Sequence, residues 1–147
     1  MKTALIWKSA MKFDFMADGQ VGQMDAKTPI GSGSAMTPKE LVLAGLGGCT
    51  AMDVVALMKK HKQDLKGFEV EVDAETSRGG HPTVFLNATI TFSAAGAIDP
   101  KILLDSVHLS QTKFCGVTAM LSKAFPIQYK VKLNGEEIGS GRAEFNY

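Results

Sequence analysis

Two cysteines are the residues of this chain whose types point most directly to chemistry. Cys49 and Cys115 are its only cysteines, and they lie too far apart to form a CxxC motif or a zinc-binding Cys/His cluster. The histidines, His61, His81 and His108, are scattered in the same way. In a reducing compartment such a pair indicates thiol chemistry or core packing rather than a permanent disulfide. We therefore expect thiol chemistry or core packing at these two positions, and no metal site.

Cys49 falls in the middle of a predicted helix over residues 37–62. The helix opens with Thr37, Pro38 and Glu40. Threonine can cap a helix, proline suits its first position, and a glutamate at the third position can reach back to the cap. Positive charge near the end of the segment suits the carbonyl end of a helix. The sequence therefore predicts both ends of this helix.

The interior of this helix is apolar on every face. Asp53 is the one charged residue within 41–58, so we expect the helix to be buried. A membrane span is the first alternative, although the apolar run is shorter than about 20 residues and contains a charge. The second alternative treats Cys49 as a small core residue. The helix contains three glycines, Gly45, Gly47 and Gly48. Each costs roughly 1 kcal/mol relative to alanine inside a helix, and close approach of another backbone would explain them.

Composition excludes several classes of function. The 147 residues carry a formal net charge of +1, so no basic excess points to nucleic acid or to an anionic membrane surface. The first residues lack the long apolar core of a signal peptide because Lys8 interrupts them. We expect a cytoplasmic protein that binds neither nucleic acid nor membrane, with residues 1–147 forming a single domain of ordinary size.

Alternating patterns and turn signals predict a mixed α+β fold. Three short strands precede the long helix, two strands follow it, and two helices and a last hairpin complete the chain, giving the order βββ-α-ββ-αα-ββ. Asp18-Gly19 and Asn134-Gly135 mark two of the hairpin turns. We expect antiparallel sheets around the long helix. Because so few strands cannot cover an all-round apolar helix, we also expect a homodimer.

Three segments carry a resemblance to a known family. TPKELVLAGLGGC leads to the first cysteine, HPTVF lies at 81–85, and SQTKFC at 110–115 ends on the second cysteine. Together they resemble the OsmC/Ohr family of organic hydroperoxide reductases, and among its branches most closely the YhfA-like one. The resemblance runs from about residue 30 to the C-terminus. It implies an OsmC-like fold and an intertwined homodimer whose two sites lie at the subunit interface.

The resemblance also implies a reaction and the roles of the two cysteines. Cys49 matches the peroxidatic position and Cys115 the resolving position. In this chemistry a thiolate attacks the peroxide and becomes a sulfenic acid, which a nearby thiol condenses into a disulfide. The implied partners are a hydroperoxide substrate, organic or inorganic, and a dithiol reductant. No cofactor is implied.

The chain departs from the family at the residues that activate the thiolate. Better-known members carry a glutamate beside the helix-opening proline and an arginine in the N-terminal region. Here the glutamate position is Lys39, and Glu40 falls one residue later, where it is also a candidate capping-box acid. Because burial raises the pKa of a thiol, a reactive thiolate needs a cation. Lys39, Arg78 and the lysines at positions 8 and 12 are the available cations. We predict that Arg78, in the 77–83 turn, supplies the charge, with Glu40 or Asp53 as the carboxylate partner.

Two functions from different classes are compatible with these residues. The first is a thiol peroxidase that acts in oxidative-stress defence. The second is a non-catalytic protein that binds an apolar small molecule in a dimer-interface cavity. Methionines near Cys49 suit either an irregular apolar ligand or ordinary core packing; they are Met36, Met52 and Met120.

Overall fold

The computed structural model describes residues 1–146, so Tyr147, the last residue of the predicted domain, lies outside the described residues. The described chain falls into two compact units, residues 1–42 and residues 43 onward. The predicted element order is confirmed, with one additional π-helical turn. The elements are β1 (Ala4–Ser9), β2 (Lys12–Ala17), β3 (Gln20–Met24), α1 (Pro38–Lys60), β4 (Asp64–Thr76), β5 (Phe85–Ala97), α2 (Pro100–Leu109), the π-turn (Ser110–Phe114), α3 (Gly116–Leu121), β6 (Ile127–Leu133) and β7 (Glu136–Arg142).

The first unit contains a three-stranded antiparallel sheet in the order β1-β2-β3. Its second turn is the predicted Asp18-Gly19, whose φ angles of 49° and 80° are the positive values of a two-residue hairpin turn. Every residue of β1 is exposed. One sheet of three short strands therefore leaves large apolar side chains uncovered, among them Leu5, Ile6 and Trp7.

The loop between β3 and α1 is organised by one buried carboxylate. Asp25 accepts hydrogen bonds from the backbone N–H groups of Ala26 (2.8 Å), Ser32 (3.2 Å) and Ser34 (3.1 Å). It also accepts from both serine hydroxyls, at 2.6 and 3.0 Å. The hydroxyl of Ser32, followed by the Ser34 contacts, holds the pKa of Asp25 well below its usual range. A Cβ on Gly31 would lie 2.3 Å from the Ala26 carbonyl oxygen, so the loop closes only around a glycine.

Within the second unit, α1 is buried along one stripe only. Leu46, Thr50, Val54 and Met58 follow the four-residue spacing of a single helix face. On other faces Met52 is 74 % exposed. The expectation of a helix buried on every side therefore fails within a single chain, because one sheet can cover only one side of a helix.

Only one of the three glycines in α1 lies against another element. A Cβ on Gly47 would lie 3.0 Å from a Val72 side-chain methyl, so β4 approaches the helix closely at this point. A Cβ added to Gly45 or Gly48 would meet open space, with no described atom within 4 Å. The predicted close approach thus explains Gly47 and leaves the other two without a structural reason.

The sheet of the second unit has the order β4-β5-β6-β7. β4 pairs with β5 and β6 with β7 in antiparallel fashion, but β5 and β6 are parallel. The prediction of antiparallel sheets is therefore confirmed for the other strand pairs and wrong for β5 and β6. The two helices between β5 and β6 form a connection long enough to return the chain to the same end of the sheet. The core lies between this sheet and the buried faces of α1 and α2.

A β-bulge changes the predicted faces at the start of β5. The pattern predicts that Val84 and Leu86 share the buried face with Ile90, yet both are about half exposed. The pairing register shifts between Glu75 and Thr76, and an extra residue in one strand moves every side chain beyond it to the opposite face. Phe85 accordingly turns toward the core.

Candidate functional site

The two cysteines meet in the second unit. Both are free thiols; Cys49 on α1 is partly exposed and Cys115 is fully buried. Burial raises the pKa of Cys115 to about 11, the contact with Thr118 opposes that rise, and the interaction with the nearby Cys49 thiol adds to it. The fold thus brings together two thiols of unequal exposure.

Cys115 is held between two helical elements. It caps the N-terminus of α3, where its Sγ accepts a hydrogen bond from the Thr118 N–H at 3.3 Å. On its other side, the Cys115 N–H donates to the Ser110 carbonyl at 3.0 Å, which closes the wide π-turn. Such turns are rare in proteins overall, and a large share of them lie at functional sites. The sequence predicts a helix from about 113 onward, and the structure places Cys115 at the break between two shorter helical elements.

Polar side chains link the π-turn to α1 beside Cys49. The Ser110 hydroxyl donates to Asp53 Oδ2 at 2.8 Å and lies 2.7 Å from the Thr50 hydroxyl. The Gln111 side-chain N–H donates to the Thr50 hydroxyl at 2.6 Å. Thr50, Ser110 and Gln111 are all fully buried. We call these four residues, Thr50, Asp53, Ser110 and Gln111, the polar cluster.

The hydrogen bonds beside the thiols are incomplete. Among the described residues, Gln111 Oε1 and Thr118 Oγ1 are buried without a partner. Buried polar groups in folded proteins almost always have partners, so such exceptions often mark functional sites. Sequence reasoning did not identify Thr50, Ser110 or Gln111. Their only signal is polarity beside the two cysteines, at Thr50 and in the SQT triplet of residues 110–112.

Glu40 makes the contacts of a capping-box acid. Its Oε2 accepts from the Thr37 N–H at 2.7 Å and from the Thr37 hydroxyl at 3.0 Å, while the Thr37 hydroxyl accepts from the Glu40 N–H. Its Oε1 lies 2.8 Å from Lys27 Nζ. The hydrogen bond from Lys27, followed by those from Thr37, lowers the pKa of Glu40 to about 2. These contacts match the capping interpretation, and a catalytic role for Glu40 stays a prediction.

The cation candidates lie on the surface. Arg78 is exposed in the β4–β5 turn and makes no side-chain hydrogen bond or ion pair with residues 1–146. Lys39 is exposed as well. The predicted approach of Arg78 to Cys49 therefore stays a prediction. The methionines Met36, Met52 and Met120 are each at least half exposed, which core packing in one chain does not explain.

Two further properties bear on metal binding and on membrane insertion. Within residues 1–146, no group of three His, Cys, Asp or Glu side chains is placed to hold a metal ion. α1 is the one described helix that is long and apolar enough to cross a membrane by length and composition. The core helix of a globular protein passes the same test, so the finding does not separate the two.

Comparison with known proteins agrees with the sequence motifs. Residues 31–130 match the family model described as OsmC-like protein. Protein YhfA of Escherichia coli K12 is 31% identical over 127 residues, which are 86% of this chain and 87% of YhfA. An OsmC-like protein from Mycoplasma pneumoniae has the same fold at 12% identity, with a TM-score of 0.78 over 90% of this chain and 95% of that one. The organic hydroperoxide resistance protein OhrB of Bacillus subtilis, at 15% identity, has a TM-score of 0.61 over 90% and 96% of the two chains.

Proposed function

The chain belongs to the OsmC-like family, and from that premise we propose that it is a thiol-dependent peroxidase. Its substrates would be organic hydroperoxides, with inorganic peroxide as a second class. The Cys49 thiolate attacks the terminal peroxide oxygen, the O–O bond breaks, and the alkoxide takes a proton to leave as an alcohol. Cys49 is left as a sulfenic acid. Proteins named for hydroperoxide resistance share the fold, which supports this substrate class.

The observation that carries the proposal is the unequal exposure of two adjacent thiols. Cys49 is accessible to a substrate, whereas Cys115 is buried and its pKa is raised to about 11. A buried thiol with a raised pKa is a poor first nucleophile. Cys49 is therefore the peroxidatic residue of the proposal, and Cys115 is the resolving residue.

The second half of the cycle needs only the two cysteines and a reductant. The Cys115 sulfur attacks the Cys49 sulfenic acid, an S–S bond forms, and the hydroxyl leaves with the Cys115 proton as water. A dithiol reductant then restores both thiols by exchange through a mixed disulfide. A reducing cytoplasm supplies such donors, and we place the protein there, in defence against oxidative stress.

Activation of Cys49 is assigned to a cation and a carboxylate. We assign the cation to Arg78, because an arginine stays charged and can hold a thiolate and a carboxylate together. Glu40 is the carboxylate that the family motif suggests, and Asp53 lies one turn after Cys49 on the same helix. For Arg78 to act, the exposed β4–β5 turn must approach Cys49, either within one chain or from a second copy.

A homodimer is part of the proposal. Val42 and Met52 on α1 are exposed, and so are Leu5, Ile6 and Trp7 on β1. Apolar surface on this scale is commonly covered by a partner, and a second copy of the chain is the partner that the family suggests. Sedimentation at micromolar concentration should give a dimer. A well-folded monomer would contradict this part of the proposal.

The peroxidase proposal is tested by treating the reduced protein with one equivalent of cumene hydroperoxide. Intact-mass analysis should show a Cys49–Cys115 disulfide. Cys115→Ser should instead accumulate a sulfenic acid on Cys49, trapped with dimedone, and Cys49→Ser should leave Cys115 largely unreacted. If both thiols of the unaltered protein remain free after excess peroxide, the proposed function fails.

A binding function is the second candidate, and one cavity favours it. In the first unit a cavity of about 180 Å³ has an almost wholly apolar lining that includes Leu5, Met11, Phe13 and Met24. Pockets of this character accept small apolar ligands. Under this alternative, an apolar fluorescent probe would bind the double variant Cys49→Ser/Cys115→Ser as tightly as the unaltered protein, and the thiols would resist peroxide. Rapid Cys49 oxidation would exclude a purely binding role.

A further inference from the structure

The polar cluster joins the two segments that carry the cysteines. On α1 its members are Thr50, which follows Cys49, and Asp53, one helical turn after Cys49. On the other segment its members open the π-turn that ends at Cys115. Three side-chain hydrogen bonds of 2.6 to 2.8 Å cross between the segments. Thr50, Ser110 and Gln111 have no role in the proposed reaction, and the hydrogen bond from Ser110 ties Asp53 to them.

Ser110 connects this cluster directly to the backbone of Cys115. Its hydroxyl contacts both Thr50 and Asp53 on α1. Its carbonyl oxygen accepts the N–H of Cys115 at 3.0 Å. One buried residue therefore connects the helix of the first thiol to the backbone of the second.

The hydrogen bonds of the cluster have a single consistent direction when Asp53 is a carboxylate. A carboxylate can only accept hydrogen bonds, so the Ser110 hydroxyl donates its one hydrogen bond to Asp53. It must therefore accept from the Thr50 hydroxyl. Thr50 in turn accepts from the Gln111 amide N–H. Each hydroxyl donates once and accepts at least once, which fixes the rotamers at both ends. Such a chain is suited to holding a geometry rather than to adapting one.

We propose that Thr50, Asp53 and Ser110 are positioning residues that hold Cys115 within reach of Cys49 for disulfide formation. The proposal rests on the proposed peroxidase function. Disulfide formation demands a narrow range of Cβ positions, whereas attack of Cys49 on a free peroxide does not involve Cys115. Displacing the π-turn therefore slows the second step far more than the first. The Cys49 sulfenic acid then survives long enough to meet another peroxide and become a sulfinic acid.

The test compares two buried serines that lie four residues apart in the chain, Ser106 and Ser110. Ser110→Ala removes the connection, while Ser106→Ala removes a hydroxyl whose one hydrogen bond within residues 1–146 is to the Ile102 carbonyl of its own helix. Each variant is treated with a series of cumene hydroperoxide concentrations, and the ratio of sulfinic acid to disulfide is read by mass spectrometry. For Ser110→Ala we expect that ratio to rise at least about tenfold, since misplacement of about 1 Å can cost a hundredfold in rate. For Ser106→Ala we expect the ratio of the unaltered protein.

A second pair separates positioning from general destabilisation. Thr50→Val keeps the shape and loses the hydroxyl, whereas Thr50→Ser keeps the hydroxyl. We expect the ratio of sulfinic acid to disulfide to rise in Thr50→Val and to return to that of the unaltered protein in Thr50→Ser. Loss of stability alone would not produce this pattern. The inference is overturned if Ser110→Ala and Thr50→Val give the unaltered ratio, or if Ser106→Ala raises it equally. Failure of the function itself looks different, because then the unaltered protein does not oxidise at all.

Discussion

Two polar clusters, one in each unit, differ in how completely their hydrogen bonds are made. In the first unit five donors converge on the Asp25 carboxylate. In the second unit the polar cluster lies beside two thiols, and Gln111 Oε1 and Thr118 Oγ1 have no partner within residues 1–146. The pKa shifts in the two regions also differ in sign. Hydrogen bonds lower the pKa of Asp25, whereas burial raises the pKa of Cys115, which lies beside the polar cluster.

The difference shows what each cluster can do. A carboxylate whose charge is fully met by local donors stabilises one loop conformation and has little capacity left for a ligand. A cluster with unmet groups beside a buried thiol costs stability, and folded proteins tolerate that cost mainly where there is chemistry. The residues bonded around Asp25, which we call the loop cluster, therefore have a structural role. Reactivity is expected at the polar cluster and the two thiols beside it.

The largest expected effect is on stability, at the loop cluster. Asp25→Ala leaves five donors without their shared acceptor, so the urea midpoint of unfolding should fall markedly. Because the pKa of Asp25 is lowered by folding, its contribution is present above the unfolded value of 3.8 and is lost as pH falls further. The variant should accordingly lose part of the acid sensitivity that the unaltered protein shows below about pH 4.

The same variant tests whether the two clusters are separate. The rate of Cys49 oxidation in Asp25→Ala should stay close to that of the unaltered protein, measured where both are folded. Asp53→Asn is the matched change in the polar cluster. It should cause only a small loss of stability and a higher yield of sulfinic acid on Cys49. Equal profiles for the two carboxylates would show that the clusters do not differ in function.

The next effect in size concerns the cation that we assign to Cys49. Arg78→Ala should slow peroxide oxidation of Cys49 at least about tenfold, because loss of a partner charge disfavours the thiolate. Arg142→Ala is the control, since Arg142 pairs with Glu144 at the surface, 2.9 Å away. Lys39→Ala should have a smaller effect than Arg78→Ala. If Lys39→Ala or Lys8→Ala abolishes oxidation while Arg78→Ala does not, the assigned cation is wrong.

The pH dependence of disulfide formation should report the buried thiol. Because the pKa of Cys115 is raised to about 11, its thiolate fraction grows about tenfold per pH unit through the neutral range. Stopped-flow measurement of disulfide formation from preformed sulfenic acid should follow that slope between about pH 7 and pH 9. A rate that levels off near neutral pH would show that Cys115 ionises far more easily than its burial implies.

The raised pKa of Cys115 also makes the free energy of unfolding fall at alkaline pH. A thiol whose pKa is raised on folding contributes stability that is complete below the unfolded value of 9.0. That contribution is lost as pH rises from there toward 11. Cys115→Ser removes the titrating group, so its unfolding free energy should fall less over this alkaline range than that of the unaltered protein.

The smallest expected effect is at an unpartnered hydroxyl. Thr118→Val replaces a buried oxygen without a described partner by a methyl group of similar shape, so the free energy of unfolding should change by about 1 kcal/mol or less, in either direction. Ser34→Ala is the contrasting change, because that hydroxyl donates to Asp25, and it should destabilise. A large loss in Thr118→Val would indicate that its hydroxyl has a partner in solution.

Local signals in the sequence determined much of this protein. Thr37, Pro38 and Glu40 predict where α1 begins, and Asp18-Gly19 and Asn134-Gly135 predict two turns that the positive φ angles confirm. These signals act between residues a few positions apart, where geometry follows from the chain itself. The motifs around Cys49 and Cys115 likewise identify the family.

Tertiary structure decided everything that depends on residues far apart in the chain. The parallel pairing of β5 with β6, the bulge that turns Phe85 inward and the π-turn before Cys115 have no local signature. The contact between Cys115 and Cys49, and the buried bonds that Ser110 makes to α1, arise only when separate segments pack together. Packing is a property of the whole core, so no pattern of neighbouring residues could predict which thiol would be buried and which would be exposed.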